Sequence, residues 1–570
     1  MMKLRYMLLA LCVVILFPAL TIGQESVLRI PDYIASGGQF LNNQLAADTV
    51  ANGGVIPANR VYVLTRGGLY LHNRVFQVRS GQTIRMRAND SVGVRPPVIM
   101  LYQTGLSPNP HFPPGNMIDL RGNLEFKNLI ITGYFEAIDT NLRNLQGALL
   151  NVPVAGAGAN VKIDSCILSN TNGNHIRTDG ATNNFIITNS IFANMGYLGR
   201  SNLGAGKGFD LRDASSDTVI IQNNTFVNWQ DRVLRHYNFA NPQAGTGPIN
   251  FLKFSHNTLV NGMSYHGLLS LGSMGPRAII TNNLLIDPFS LGNDSDATRQ
   301  AEFVNNLEVD PYGAPRMTWI FTTPNDTTNW TARNNYYAIS DSGQAFYDQF
   351  ASAGVTGEGS PLTYHINARI GADSVNAFTK IPLTLANIPK LMTVMNRWYR
   401  SPTGGNKTKN TPGCGCWDHS FDFDRRGWNY WNDTLNCAYS TSSPAYTGAA
   451  GGYPAGDLNW FPTRYAAWLL DPINGVGGDF IVPEAFTLDQ NYPNPFNPVT
   501  NISYSVPKQA WVTIEVFDVL GRKVATVVDE VKQAGTYTAT FDGANASSGV
   551  YFYRLSAANQ ILTQKMILLK

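Results

Sequence analysis

Six polar side chains could line one face of this chain: Arg121, Asn151, Arg177, Arg212, Arg235 and Ser270. Each ends a short segment: Ile118-Asp-Leu-Arg121, Ala148-Leu-Leu-Asn151, His175-Ile-Arg177, Phe209-Asp-Leu-Arg212, Arg232-Val-Leu-Arg235 and Gly267-Leu-Leu-Ser270. Aligning Leu120, Leu150, Ile176, Leu211, Leu234 and Leu269 as inward aliphatics turns the next residue of every segment outward, because strand side chains alternate. Strands stacked about 4.8 Å apart would hold Arg177, Arg212 and Arg235 within about 10 Å of one another. Guanidinium groups grip carboxylate or sulfate bidentately, so such a row suits an anionic polymer. It equally suits an internal network, because stacked like charges cost energy unless Asp119, Asp210 and Asp213 balance them.

Three chemistries follow from these residue types. β-Elimination needs a cation or metal on a uronate carboxylate and a base for the adjacent C–H. Arg212, Arg235, His236 and Lys207 are the candidates for that work, with His266 joining the six row residues in substrate binding. Asp179 and Asp213, on adjacent segments, are the better pair to share a calcium ion. Hydrolysis needs paired carboxylates instead. The third reading has no catalysis and leaves the row as the surface of a scaffold.

The elements that would position these residues come from one repeated phrase. Val219-Ile-Ile-Gln-Asn-Asn-Thr-Phe-Val-Asn228 reads as an apolar strand, an Asn bend and a second strand. It returns as Leu124–Ile131, Val161–Leu168, Phe185–Phe192, Leu252–Leu259 and Ala278–Leu285, and more weakly as Ala301–Leu307 and Trp330–Tyr337. The equivalent residues Ile163, Ile187, Ile221, Phe254 and Ile280 are spaced by 24, 34, 33 and 26 residues. A β-type repeat of irregular length implies stacked coils, none of which buries its apolar side alone. Asn at the fifth position suits a left-handed bend, and stacked Asn amides can form a ladder. His256 falls at such a position and reads as structural.

The rest of the chain sets the bounds. With 570 residues, more than one folding unit is expected. Charged residues make 14% and the formal charge is +3, so nothing in the overall balance argues for nucleic acid or a membrane surface. Residues 1–23 read as a secretory signal, with Lys3 and Arg5 before an apolar run, and no later segment is long and apolar enough to cross a bilayer. Residues 24–60 are expected to form an N-terminal cap with a short helix within 38–48. Residues 61–340 form the coils, 341–474 a C-terminal part or cap, and 475–485 a linker holding Gly-Val-Gly-Gly.

Within 341–474, Leu385, Ile388, Leu391 and Met395 show helical spacing, interrupted by Pro389. The aromatic group Trp417, Trp428, Tyr430, Trp431 and Trp460 reads as cap packing, with a sugar-stacking platform as the alternative. Cys166 reads as a buried small hydrophobe. Cys437 could pair with Cys414 or Cys416, and a metal site on Cys414, Cys416 and His419 matches no established zinc spacing. Residues 486–570 alternate as half-buried strands separated by turns, which implies a β-sandwich.

On the repeat phrases, roughly residues 60–340 resemble the right-handed parallel β-helix of the pectate-lyase-like superfamily. That resemblance implies an outer coil face used for uronate polymers. Arg177-Thr-Asp-Gly180 and His266–Ser273 are slightly similar to polygalacturonase motifs, but the paired Asp of that family is absent at Gly208-Phe-Asp210. The tail resembles the C-terminal sorting domain of the type IX secretion system through Asn491–Pro498, Val516–Arg522, Ser548–Tyr551 and Lys565-Met566, in order. This resemblance implies export across the outer membrane by the type IX machinery, and a secreted or surface location. The combined expectation is an all-β protein that binds, and in one reading cleaves, an acidic polysaccharide. The alternatives are an adhesion scaffold and a polygalacturonase-type hydrolase.

Overall fold

The structure is a computed structural model. It describes residues 25–91, 93–102, 115–133, 135, 146–171, 173–195, 206–212, 214–229, 232–236, 248–262, 268–288, 320–322, 328–341, 343–344, 361–388, 435–471, 486–491, 493–507, 510–532, 535–558 and 560–569. Three parallel sheets of 10, 10 and 8 strands wind around one apolar core as a β-helix. Each coil passes through sheet 1, sheet 2 and sheet 3 in that order. One coil comprises Ser216–Gln222 in sheet 1, Thr225–Trp229 in sheet 2 and Leu234–Arg235 in sheet 3. The next coil begins at Ile249–Ser255.

The repeat alignment is reproduced in sheet 1. Ile163 lies opposite Ile187, Ile187 opposite Ile221, Ile221 opposite Phe254, and Phe254 opposite Ile280. All five point into the core. Sheet 2 adds an aromatic stack in which the Phe192 and Phe226 rings lie 5.1 Å apart and nearly parallel.

From Asn128 onward the corner between sheets 1 and 2 takes at most two residues. The first is left-handed in every described coil from Asn128 onward: Asn128, Ser165, Asn189, Asn223, His256, Asn282 and Asn334 all have φ between 52° and 61°. Asn tolerates this conformation better than most side chains. The second corner residue points inward, where Asn224, Asn257, Asn283 and Asn335 form a ladder. Each of the first three donates its amide to the next at 3.1, 3.1 and 2.8 Å. Each of these rungs also donates to a carbonyl of the preceding coil, such as Asn257 to Ile221 O at 2.9 Å. Cys166 occupies the same column, fully buried. A third column, Asn170, Asn194, Asn228 and Asn261, bonds rung to rung inside sheet 2.

The coils begin earlier than residue 61. Ser26–Ile30 is already a strand of sheet 1, paired with Arg60–Leu64. The capping helix spans Leu41–Ala51 rather than 38–48. Its Leu41 and Leu45 close the core, and Asp48 accepts bonds from Tyr62 and Arg60.

Residues 381–388 are extended, not helical. Their backbone groups bond across to Ala438 and Asn436 instead of to the preceding turn. From Leu435 to Asp471 the chain lies along the outer face of sheet 2 as a clasp. Leu435, Cys437, Ala445, Tyr453, Leu458 and Trp468 pack there on Val227, Val260 and Ile286. The clasp reads the left-handed corner column directly. Asn223 accepts the Leu458 N–H at 2.7 Å, Asn189 accepts the Tyr465 hydroxyl at 2.8 Å, and Asn282 accepts the Ala450 N–H at 3.1 Å. His256 meets the Gly456 carbonyl at 3.3 Å and the edge of Trp468, which agrees with a structural role. Gly456 must be glycine: φ is +87°, and a Cβ would sit 2.5 Å from Thr258 Oγ1. Trp460 donates to Thr225 at 2.8 Å, as packing requires. Cys437 is a buried free thiol rather than a disulfide partner, and its burial pushes the pKa well up. Cys414, Cys416, His419 and the tryptophans at 417, 428 and 431 lie outside the described residues, as do 1–23.

The tail is a β-sandwich of a three-stranded and a four-stranded antiparallel sheet around its own core. Its last strand, Gln560–Leu568, extends beyond the five expected from alternation. Among the described residues no helix is long and apolar enough to cross a membrane.

Candidate functional site

Sheet 3 carries the residues singled out for chemistry, but in a different row. Its register places Gln77, Asp119, Asn151, Arg177, Asp210, Arg235 and Ser270 in one outward column. Asp119 and Asp210 therefore stand where Arg121 and Arg212 were expected. Ile118 and Phe209, not Leu120 and Leu211, share the inward column of Leu150, Ile176, Leu234 and Leu269. A shift of two residues preserves the inward–outward alternation, so both alignments satisfied the pattern.

The consequence is electrostatic. Asp119-Leu-Arg121, Arg177-Thr-Asp179 and Asp210-Leu-Arg212 each place an acid and a base two residues apart. Because the order reverses at Arg177, opposite charges face each other both along and between these coils. Arg177 donates Nε to both oxygens of Asp179 at 3.2 and 3.1 Å, and Nη2 to Oδ1 at 3.0 Å. Arg235 lies 3.5 Å from Asp210, which also accepts Asn174 Nδ2 at 3.2 Å. Arg121 and Asn151 both reach Asp119, at 3.4 and 3.3 Å.

Burial divides the site. Lys207, His236 and Ser270 are fully buried, with Asp210 and Arg232 nearly so. The His236 ring lies 3.1 Å from the Ala214 carbonyl. The Arg177 side chain is 34% exposed and that of Arg121 42% exposed, so these two reach solvent. Arg212 is half-buried beyond the strand end. His266 and Asp213 lie outside the described residues. Of the two calcium candidates only Asp179 is described: both its oxygens accept from the Arg177 guanidinium, whereas calcium takes six to eight oxygens. Among the described residues no group of three His, Cys, Asp or Glu could hold a metal. Of the carboxylates that polygalacturonase-type hydrolysis would draw on, Asp210 and Asp179 are each engaged by an arginine.

Sequence reasoning missed a second buried acid. Asp457 of the clasp accepts the Thr225 hydroxyl at 2.7 Å and the Asn459 backbone and side-chain N–H groups at 2.9 and 2.8 Å. Burial pushes its carboxyl up to about 7. Its only sequence signal is the turn-rich run Pro454–Pro462.

The tail's four motifs meet at one end of the sandwich. In the four-stranded sheet, Asp518 pairs with Tyr551 and Tyr551 with Met566, while Phe517 pairs with Phe552 and Phe552 with Lys565. Asn494 accepts the Ile567 N–H at 2.9 Å, and the Phe496 N–H donates to Ile567 O at 2.9 Å. The opening motif thereby covers part of the edge of the last strand.

Residues 490–569 match the secretion system C-terminal sorting domain. The protein is therefore secreted or displayed at the cell surface, and its tail interacts with the type IX machinery. No curated protein matches the chain.

Proposed function

We propose that this surface-delivered β-helix binds an acidic polysaccharide along the outer face of sheet 3, with Arg177 and Arg121 as its accessible cationic contacts. The observation that carries this reading is the charged column itself. Arg121, Arg177, Lys207, Arg212, Arg232 and Arg235 gather on neighbouring coils and outnumber the described carboxylates Asp119, Asp179 and Asp210. A polymer carboxylate can exchange with Asp179 at the Arg177 fork, since an ion pair whose partners are each about one-third exposed is held by little net energy. Lys207 and His236 serve the site from below as positive and polar support, because their burial keeps them from direct contact.

The test is a polysaccharide panel assayed for binding and, separately, for unsaturated uronate products. Acidic glycans should bind better than neutral ones, and binding should weaken as salt rises. Formation of unsaturated products would extend the reading to β-elimination. Absence of binding to every acidic glycan would overturn it. A second reading, a non-catalytic adhesion scaffold, is favoured by the Arg177–Asp179 and Arg235–Asp210 pairs, which neutralise the column internally. Panel-wide silence from a folded, surface-exposed protein would favour that reading.

A further inference from the structure

Half of the large hydrophobic side chains exposed among the described residues lie between Val499 and Leu569. Several of them share one place. The outer face of the four-stranded sheet presents Phe517, Phe552 and Val550 side by side, continued by Val519 and Leu520 of the adjoining turn. Phe552 is 37% exposed and Leu520 74%.

The motif residues divide into two sets by what they touch. One set builds the fold. Asn491 donates its N–H to the Tyr553 hydroxyl and its amide to Thr500. Asp518 ties the turn by accepting the N–H groups of Leu520 and Arg522. The Tyr551 hydroxyl donates to Ser547 O, and Met566 is fully buried. The other set, Val519, Leu520, Val550 and Lys565, is exposed. The fold gains no core packing from the apolar members of that set, although exposing them to water is unfavourable.

The rim of this face is cationic. Arg522, Lys523, Arg554 and Lys565 surround it, against two carboxylates, Glu515 and Asp518. Glu515 is bridged by Lys523 and Arg554, and Asp518 by Arg522. The Arg554 guanidinium also lies over the Phe517 ring at 4.4 Å.

We propose that this face is the surface by which the export machinery holds the tail, and that its partner there is a protein segment of apolar side chains flanked by carboxylates. An apolar centre with a charged rim is the anatomy of a protein–protein contact, and the rim's excess of cations selects an acidic partner. The other end of the same sheet, bearing Trp511 and Ile561, is the internal control. Trp511 is 59% exposed but donates its indole N–H to Asp529 at 2.8 Å.

The full-length protein is expressed in a type IX host, and the surface-delivered fraction is compared with the periplasmic fraction. Leu520→Asp with Phe552→Ser should lower delivery at least about tenfold, the equivalent of one lost anchor contact. The charge reversals Arg522→Glu with Lys565→Glu, both at exposed positions, should also lower it, and by more than the corresponding changes to Gln. Trp511→Ser with Ile561→Ser should deliver normally. Thermal melting of each purified full-length variant checks folding, and the charge-reversal pair decides if the apolar pair misfolds. Normal delivery of folded face variants, or equal loss in the Trp511 and Ile561 control, would overturn the proposal. It would also fall if the face variants were delivered normally but lost self-association or binding to anionic vesicles, because the occupant would then be a second copy or a lipid surface.

Discussion

Two sides of the same coil behave differently. At the corner between sheets 1 and 2 each described coil from Asn128 onward repeats one geometry: a left-handed residue, then an inward one, then the next strand. On the sheet 3 side the connections change length from coil to coil. Only the short segment Asp179–Ala181 separates the sheets after Arg177, whereas residues 236–248 intervene after Arg235. The corner is where the coils hold one another, through amides that bond upward and downward at once. Among the described residues sheet 3 shows no such amide ladder, and its outward column mixes acids, bases and neutral polar residues rather than repeating one residue type. Repetition marks the part that must be the same in every coil for stacking to work. Variation marks the part free to specialise.

The sharpest way to break this contrast is to put a charge into the stacked core. Ile221 is fully buried between Ile187 and Phe254. Ile221→Asp should cost roughly 4–5 kcal/mol and abolish cooperative unfolding near the wild-type temperature. Lys162, exposed on the same sheet, is the matched control, and Lys162→Asp should change stability by less than about 1 kcal/mol. Thermal melting with circular dichroism reads both. Gln222, which the alternation places outward, is no such control, because it too is buried.

The clasp adds a pH dependence of its own through Asp457. Asp457 titrates at about 7 in the folded protein against an ordinary value of 3.8. Below about pH 4 the group is protonated in both states and its burial carries no charge penalty. As pH rises towards 7, the unfolded chain has lost this proton while the folded chain retains it, so stability falls. Above about 7 both states are ionised and the loss levels off. The span of this fall is on the order of a few kcal/mol. Asp457→Asn should flatten the curve of melting temperature against pH between about 4 and 7. An unchanged slope in the variant would show that some other group is responsible.

Removing one rung tests whether the amide ladder, rather than apolar packing alone, aligns the coils. Asn257 accepts from the Asn224 backbone and side chain and donates to Ile221 O and Asn283. Asn257→Ala leaves buried partners unsatisfied and should cost about 2–3 kcal/mol. Asn223→Ala at the neighbouring left-handed position should cost about 1–2 kcal/mol, from backbone strain and the lost acceptor of the Leu458 N–H. Denaturant melts that ranked the two variants in reverse would mean that the outer column matters more than the inner one.

How much of this was readable in the residues follows from the same contrast. The sheet 1 register was legible because five apolar positions recur around one Asn bend, and every pair proved to be in register. The sheet 3 register was not. Ile118-Asp119-Leu120 and Phe209-Asp210-Leu211 each offer two inward residues, and no local rule chooses between them. The choice is seen only in the pairing between coils, where Asn151 meets Asp119 and Arg177 meets Asp210. The clasp was hidden for a related reason. Its partners are hundreds of residues earlier, as with Leu458 and Asn223, and periodicity does not report such contacts. In the tail the opposite held, because strand alternation sets each strand's faces locally and the four motifs are recognisable by their own short sequences, even though the fold brings them together from positions far apart in the chain.

The smallest expected effect on stability separates the two readings of the sheet 3 face. Arg235 is mostly buried beside Asp210, which is itself 2% exposed. Arg235→Ala leaves that carboxylate with less compensation and should cost about 2 kcal/mol, whatever the face binds. Arg177 and Asp179 are each about one-third exposed, so Arg177→Ala should cost less than about 1 kcal/mol. Arg177 therefore reports on function almost free of folding. If the face takes an acidic polysaccharide, Arg177→Ala should weaken that binding roughly tenfold and leave neutral glycans unaffected, because a bidentate charged contact is removed while the surface shape is kept. If the column is only an internal network, glycan binding should stay at its wild-type value and the melting temperature should fall only by the small cost of the lost Arg177–Asp179 pair. Asp179→Asn sharpens the choice by releasing Arg177 from its present partner. Acidic-glycan binding should then rise if the arginine is a contact, and should not change if it is not.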